Sequence, residues 1–213
     1  MDVVIAGGHG QIALRLERLL SERGDTARGL IRNPDHAGDV SATGAEPVLF
    51  DLEAPEGDLA EVVRGADAVV FAAGAGPGSG AERKRTVDLG AAVRLIDAAR
   101  EAGVRRYVMI SSIGADDPAG GSEAMRPYLE AKAEADAALV ASGLDWTIVR
   151  PGRLTNDPGR AKVTAGRDVG YANVPRDDVA AVVVGVLDEP RTIGKTFVVV
   201  EGDTPIPSAL AQL

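Results

Sequence analysis

Met1-Asp2-Val3-Val4-Ile5-Ala6-Gly7-Gly8-His9-Gly10-Gln11-Ile12-Ala13 opens the chain and decides how the rest is read. Val3, Val4 and Ile5 form a β-branched run without alternation, which suits a strand covered on both faces. Beyond Gly10, apolar residues fall at Ile12, Ala13, Leu16, Leu19 and Leu20, the stripe of an amphipathic helix, and Gly24 is placed to end it. Gly8-x-Gly10-x-x-Ala13 therefore sits where a strand turns into a helix. A dinucleotide pyrophosphate is bound at such turns: glycines admit close backbone approach, N–H groups at the helix start face the anion, and a small residue lets helix and strand pack. The competing reading is a glycine-rich turn in some other α/β domain.

The same alternation runs outward to the end of the chain. Strands are expected at 3–6, 26–31, 47–50, 68–72, 106–111, 145–149 and 195–200. Helices are expected at 11–23, 59–64, 82–102, 125–142 and 177–187. This predicts an α/β fold: a Rossmann-type, doubly wound parallel sheet with helices on both faces. No repeat or linker divides it, so residues 1–213 read as a single domain with a short C-terminal substrate-side extension. Two glycine-rich loops, 74–80 and 114–121, each follow a strand and so belong on the carboxyl edge of the sheet, where such folds bind ligands.

Composition removes several chemistries. The 213 residues include no cysteine and only two histidines, His9 and His36. Disulfides, thiolate metal sites, cysteine nucleophiles, a histidine-based metal centre and a Ser-His-Asp triad are not expected. The net charge of −9, with no basic block, argues against nucleic-acid and anionic-membrane partners. The longest apolar run, residues 179–187, is too short to span a bilayer, and the N-terminus does not resemble a signal peptide. The expected location is the cytoplasm.

Particular residues suggest the chemistry. Arg32 ends the second strand, where versions of this fold that prefer NAD carry an acidic residue for the ribose 2′-hydroxyl. An arginine suits the 2′-phosphate of NADP, so NADP(H) is the expected preference, with NAD(H) possible. Asp51-Leu52 follows the third strand, where the carboxylate would accept from an adenine amino group or cap a turn. Ala72, Ala73 and Gly74 leave room at the end of the fourth strand. Tyr128 and Lys132, one helical turn apart, share a helix face, and an ammonium beside a phenol favours tyrosinate and proton exchange. Alone, the pair is a common coincidence. Ser111 and Ser112 close the fifth strand, where a hydroxyl would meet a substrate oxygen.

Phosphate loop, strand-end serine and Tyr-x-x-x-Lys, in that order, make the chain resemble the atypical short-chain dehydrogenase/reductases. These are compact NAD(P)H-binding proteins often labelled NAD-dependent epimerase/dehydratase-like, close to the NmrA-like and biliverdin reductase B-like proteins. The resemblance is carried by Ala6-Gly7-Gly8-His9-Gly10-Gln11-Ile12-Ala13, Leu30-Ile31-Arg32-Asn33-Pro34, and Tyr107-Val108-Met109-Ile110-Ser111-Ser112-Ile113-Gly114-Ala115. It continues through Tyr128-Leu129-Glu130-Ala131-Lys132, Ile148-Val149-Arg150-Pro151-Gly152, Val174-Pro175-Arg176-Asp177-Asp178-Val179-Ala180 and Gly202-Asp203-Thr204-Pro205-Ile206, so it covers essentially the whole chain.

The resemblance implies that Gly7, Gly10 and Ala13 form the dinucleotide turn and that Arg32 meets the 2′-phosphate. Tyr128 is then the general acid/base, Lys132 holds the nicotinamide ribose and tunes Tyr128, Ser112 (or else Ser111) orients the substrate oxygen, and Pro151-Gly152 lies beside the nicotinamide. The whole expected cofactor set is Gly7, Gly8, His9, Gly10, Gln11, Ile12, Arg32, Asp51, Leu52, Ala72, Ala73, Gly74, Lys132, Pro151 and Gly152, with no metal. Segments 113–127 and 150–175 would wall the substrate pocket. Two departures stand out. The stretch between Ser112 and Tyr128 is longer than in compact classical members. No acidic pair of the sugar-nucleotide dehydratase type is present, and residues 151–213 leave no room for a sugar-nucleotide domain. The expected activity is hydride transfer from NADPH to a small carbonyl, quinone or flavin-like acceptor. The alternatives are an NADP-binding redox sensor without turnover and, third, a sugar-nucleotide epimerase or dehydratase. Substrate and oligomeric state, monomer or homodimer, are not legible.

Overall fold

The computed structural model describes residues 1–54, 56–76 and 78–213. The expected loop 74–80 includes Pro77, which lies outside the described residues.

The opening run forms β1 (Asp2–Ala6), with Val3 to Ala6 fully buried. It is the hub of a nine-stranded sheet ordered β11-β8-β10-β6-β5-β4-β1-β2-β3. On one side of β1 lie β2 (Thr26–Ile31) and β3 (Glu46–Leu49). On the other lie β4 (Ala68–Phe71), β5 (Arg106–Ile110), β6 (Asp145–Pro151) and β10 (Lys195–Glu201), all parallel. The chain reverses its direction of travel across the sheet between β1 and β4, the switch point where doubly wound folds open a crevice.

Two helical layers cover the sheet. The face with Val3, Ile5, Val108 and Val149 packs on α1 (Gln11–Glu22), α2 (Ala37–Ser41), α7 (Arg176–Asp188) and α8 (Ile206–Ala211). The face with Val4, Phe71, Tyr107 and Ile148 packs on α3 (Leu59–Val63), α5 (Ala92–Ala102) and α6 (Arg126–Ala141). Alternate residues of each strand serve opposite layers, as a two-sided core requires.

The structure adds strands to the expected parallel sheet and divides one expected helix. The sheet is not wholly parallel: β8 (Lys162–Gly166) runs antiparallel to β10, and β11 (Thr204–Pro205) pairs on its outer side. A further parallel pair, β7 (Arg153–Thr155) with β9 (Asn173–Pro175), forms a separate small sheet. The helix expected at 82–102 has three parts: α4 (Ala81–Arg83), a π-helical stretch Lys84–Ala91, and α5. The wider winding changes which side chains face inward.

The acidic pair at the start of α7 has a structural use. Asp178 is buried and accepts from the N–H groups of Arg160 and Ala161, while Asp177 accepts from Gly159 and from Arg15. These carboxylates clamp the segment between β7 and β8 onto the helix start, where negative charge is favourable.

Glu17 is the strangest core residue. It lies on the buried face of α1 between Leu16 and Leu20, with Thr43 as its only side-chain partner among the described residues. Burial pushes its carboxyl up to about 8, opposed only weakly by the Thr43 hydroxyl. Folded Glu17 therefore stays protonated while the unfolded chain ionises above its ordinary value near 4.5. Stability falls as pH rises through that window and levels off above about 8. Glu17→Gln is expected to stabilise the fold by about 2 kcal/mol at pH 8, the relief offset partly by a buried amide, with little gain near pH 4.5. Melting temperatures across that range check this; a pH-independent difference would place the ionised form in the fold throughout.

Candidate functional site

A cleft of about 320 Å3 opens at the switch point. Its floor is the turn after β1 and the end of β4: Gly7, His9, Gly10, Ala72, Ala73 and Gly74. Gly7 has φ +81°, and a Cβ there would lie 2.7 Å from Ala73 Cα, so only glycine fits. The N–H groups of Gly8 and Gly10 are taken by Leu30 O and Gly7 O at 2.9 and 2.8 Å. The donors that open α1, from Gln11 onward, remain for a ligand. Gly10 caps that helix without a side-chain acceptor, and its first turn holds no acidic residue. A glycine cradle under an uncapped 12-residue helix fits a pyrophosphate.

The far wall comes from Arg32, His36, Phe50, Asp51, Leu52, Glu53 and Arg83. Arg32 is half exposed and donates to Glu53 at 2.7 Å. His9 and His36 stack with ring centroids 3.6 Å apart, and His9 bonds Asp39 at 2.8 Å. Glu53, Arg83 and His36 are cleft residues that sequence reading did not select.

Tyr128, Lys132, Ser111, Ser112, Pro151 and Gly152 do not line this cleft. Lys132 is only 3% exposed. Its ammonium donates to Ile110 O at 3.2 Å and lies 3.4 Å from Asp88 Oδ1, 5.4 Å from the Phe71 ring centre and 5.9 Å from that of Tyr128. Asp88, fully buried in the π-helical stretch, is the residue sequence reading missed. A signal existed: Asp88 precedes Ala91, Ala92 and Leu95 at helical spacing, so an acid stood on an apolar face. Asp88 also accepts from Ala75 N at 3.2 Å, and a Cβ on Gly74 would come 3.3 Å from its Oδ1. The carboxylate thus links the cleft wall to the lysine, and the lysine to the tyrosine.

The two serines diverge. Ser111 points inward and donates to Asp136 Oδ2 at 2.9 Å, an oxygen that also accepts from Arg150 at 3.0 and 3.1 Å. Burial raises the Asp136 carboxyl from its ordinary range, against the pull of Arg150. Ser112 is half-buried and donates only to its neighbour Ile113 O at 3.2 Å. Ile113 N in turn donates to Pro151 O at 3.1 Å, so Pro151-Gly152 adjoins the strand-end serines. A Cβ on Gly152 would approach Val200 Cγ1 to 2.8 Å and Ala172 O more closely, so packing against the strand β10 and the approach to β9 already demands glycine.

Comparison with known proteins agrees with this geometry. The "Uncharacterized sugar epimerase YhfK" of Bacillus subtilis is 41% identical over the full length of both chains. The solved structure of a putative NAD-dependent epimerase/dehydratase from Bacillus halodurans superposes with a TM-score of 0.94 at 39% identity, covering all of both chains. That of the oxidoreductase ylbE from Lactococcus lactis gives 0.89 at 29% identity, covering 100% of this chain and 96% of its own. A model of the family described as NAD(P)H-binding matches residues 7–190, and the chain belongs to that family, consistent with its resemblance to the atypical short-chain dehydrogenase/reductases.

Proposed function

We propose that the protein is an NADPH-dependent oxidoreductase that reduces a small carbonyl, quinone or flavin-like acceptor. The observation that carries this reading is the continuous path from cleft to tyrosine: Gly74 and Ala75, then Asp88, Lys132 and Tyr128. Dinucleotide binding alone gives the Tyr128 phenol no task, whereas proton delivery to a reduced oxygen gives one to the phenol and to the ammonium beside it.

When bound, the nicotinamide supplies the hydride. The chain's own residues hold and orient. The turn Gly7, Gly8, His9, Gly10, Gln11 and Ile12 receives the pyrophosphate, Ala72, Ala73 and Gly74 leave it space, and Asp51-Leu52 borders the adenine side. Tyr128 gives a proton to the substrate oxygen, and Lys132 keeps positive charge beside it while facing the nicotinamide ribose. Ser112 orients the substrate oxygen, supported by its freedom from the inward bond that engages Ser111. Pro151-Gly152, with segments 113–127 and 150–175, borders the acceptor. The same reading has the protein acting in the cytoplasm as a monomer or homodimer; among the described residues no helix is long and apolar enough to cross a membrane.

The direct test is a screen of purified protein for NADPH oxidation against quinones, flavins and aldehydes. Turnover of any class supports the reading. Tight NADPH binding with no turnover on any of them would favour a sensor instead. The cofactor preference has its own test. Arg32→Ala is expected to raise the NADPH dissociation constant about tenfold and that of NADH by less than about twofold, at the low end for a charged hydrogen bond because Arg32 is half exposed and shared with Glu53. Equal losses in calorimetric titration would remove Arg32 from the phosphate site.

A further inference from the structure

Glu53 stands between two guanidinium groups at the mouth of the cleft. Its Oε2 accepts from Arg32 at 2.7 Å and from Arg83 at 2.9 Å, and its Oε1 accepts from the Thr86 hydroxyl at 2.8 Å. The three charged residues come from the end of β2, the loop after β3 and the end of α4. Their convergence is a product of the tertiary fold, and all three line the cleft.

The carboxylate is the fixed member. Glu53 N donates to Asp51 Oδ1 at 2.9 Å, and Arg94 donates to the carbonyls of Asp51, Leu52, Ala54, Glu56 and Gly57 while stacking 5.0 Å from the Phe50 ring centre. A loop held by that many bonds presents Glu53 at one place. The guanidinium groups sit on long stems and remain open to solvent, Arg32 at 53% and Arg83 at 40% exposure against 22% for Glu53. Each is free to turn toward a second anion without leaving the first.

Two guanidinium groups share this one carboxylate, while Asp51, the other acid of the wall, accepts from Glu53 N instead. Both donate to the same oxygen, so both reach any anion placed beside it. A phosphate monoester, with roughly two negative charges at neutral pH and three acceptor oxygens, is the ligand such a pair is built to share. A ribose 2′-hydroxyl offers no charge and finds no use for the second arginine.

We propose that Arg83 is a second ligand of the 2′-phosphate beside Arg32, and that Glu53 is a built-in competing anion that limits how strongly NADPH is preferred over NADH. The proposal rests on the reading of the cleft as an NADPH site. Selectivity then belongs to the trio rather than to Arg32 alone.

The experiment is calorimetric titration of NADPH, NADH, adenosine 2′,5′-bisphosphate and 5′-AMP into wild type, Arg83→Ala, Arg83→Lys and Glu53→Gln, with melting curves to confirm folding. Arg83→Ala is expected to weaken NADPH and the bisphosphate about tenfold while changing NADH and 5′-AMP by less than about twofold, and Arg83→Lys to recover part of the loss. Glu53→Gln is expected to tighten NADPH and the bisphosphate several-fold, leave NADH unchanged and steepen the salt dependence of NADPH binding. Equal weakening of both dinucleotides by Arg83→Ala, or weaker NADPH binding in Glu53→Gln, overturns the proposal and leaves the NADPH reading standing. Wild-type protein that binds neither dinucleotide removes both.

Discussion

Tyr128→Phe should turn over a carbonyl substrate about 10²–10⁴-fold more slowly than wild type while binding NADPH equally well, the range typical of losing a general acid. The substitution removes one hydroxyl from a half-buried ring and keeps the face that lies 5.9 Å from the Lys132 ammonium. Packing and that cation–π contact survive, so the loss reads out proton delivery. Steady-state rates with aldehydes and ketones, beside NADPH titrations, make the comparison. Quinone or flavin reduction should fall far less, because hydride transfer to those acceptors requires no proton from the protein. Carbonyl reduction that is indifferent to Tyr128→Phe would remove the tyrosine from its assigned role.

Gly10→Val should abolish dinucleotide binding, weakening it by about 100-fold or more, and leave a folded protein. Gly10 has φ −67° and ψ 149°, a conformation open to any residue, although a Cβ there presses on Gly7 O at 3.0 Å and that carbonyl must give by a few tenths of an ångström, so the melting curve is part of the test. The branched carbons would instead occupy the space in front of the first α1 N–H groups, where the phosphates must come. Gly7 gives no such clean test, since its positive φ and the approach of Ala73 make any side chain there a folding defect. A normal melting curve together with lost NADPH binding is the expected pair of results. Near-wild-type affinity in the valine variant would put the phosphate site elsewhere.

Much of the architecture was readable because its signals are local. Buried parallel strands are rich in apolar residues, and β1, β2, β4, β5, β6 and β10 all lie within a residue or two of where the sequence places them. The glycine turn, Arg32 and the Tyr128–Lys132 spacing were readable for the same reason. What escaped was either short or long-range. The strands β7, β9 and β11 span three residues or fewer, and β8 mixes exposed Lys162 and Thr164 with buried Val163. None offers a hydrophobic period long enough to register. Asp88, Glu53 and Arg83 acquire meaning through partners on other elements, among them Lys132 for Asp88 and Arg32 and Arg83 for Glu53. Charge pairing across the fold has no sequence period, so only an acid on an apolar face, as at Asp88, betrays it in advance. The π-helical winding likewise follows from packing that no local pattern shows.

The outer strands of the sheet bear on how the molecule meets its own kind. In β3, Phe50 N donates inward to Ile31 O, so alternation turns the backbone nitrogens of Pro47 and Leu49 outward. Pro47 has no proton to offer, and one of the two outward positions is mute. At the opposite margin β11 is two residues long and ends in Pro205. A strand from another molecule seeking to extend the sheet would find an interrupted ladder at one end and almost none at the other. Edge-to-edge polymerisation is thereby discouraged.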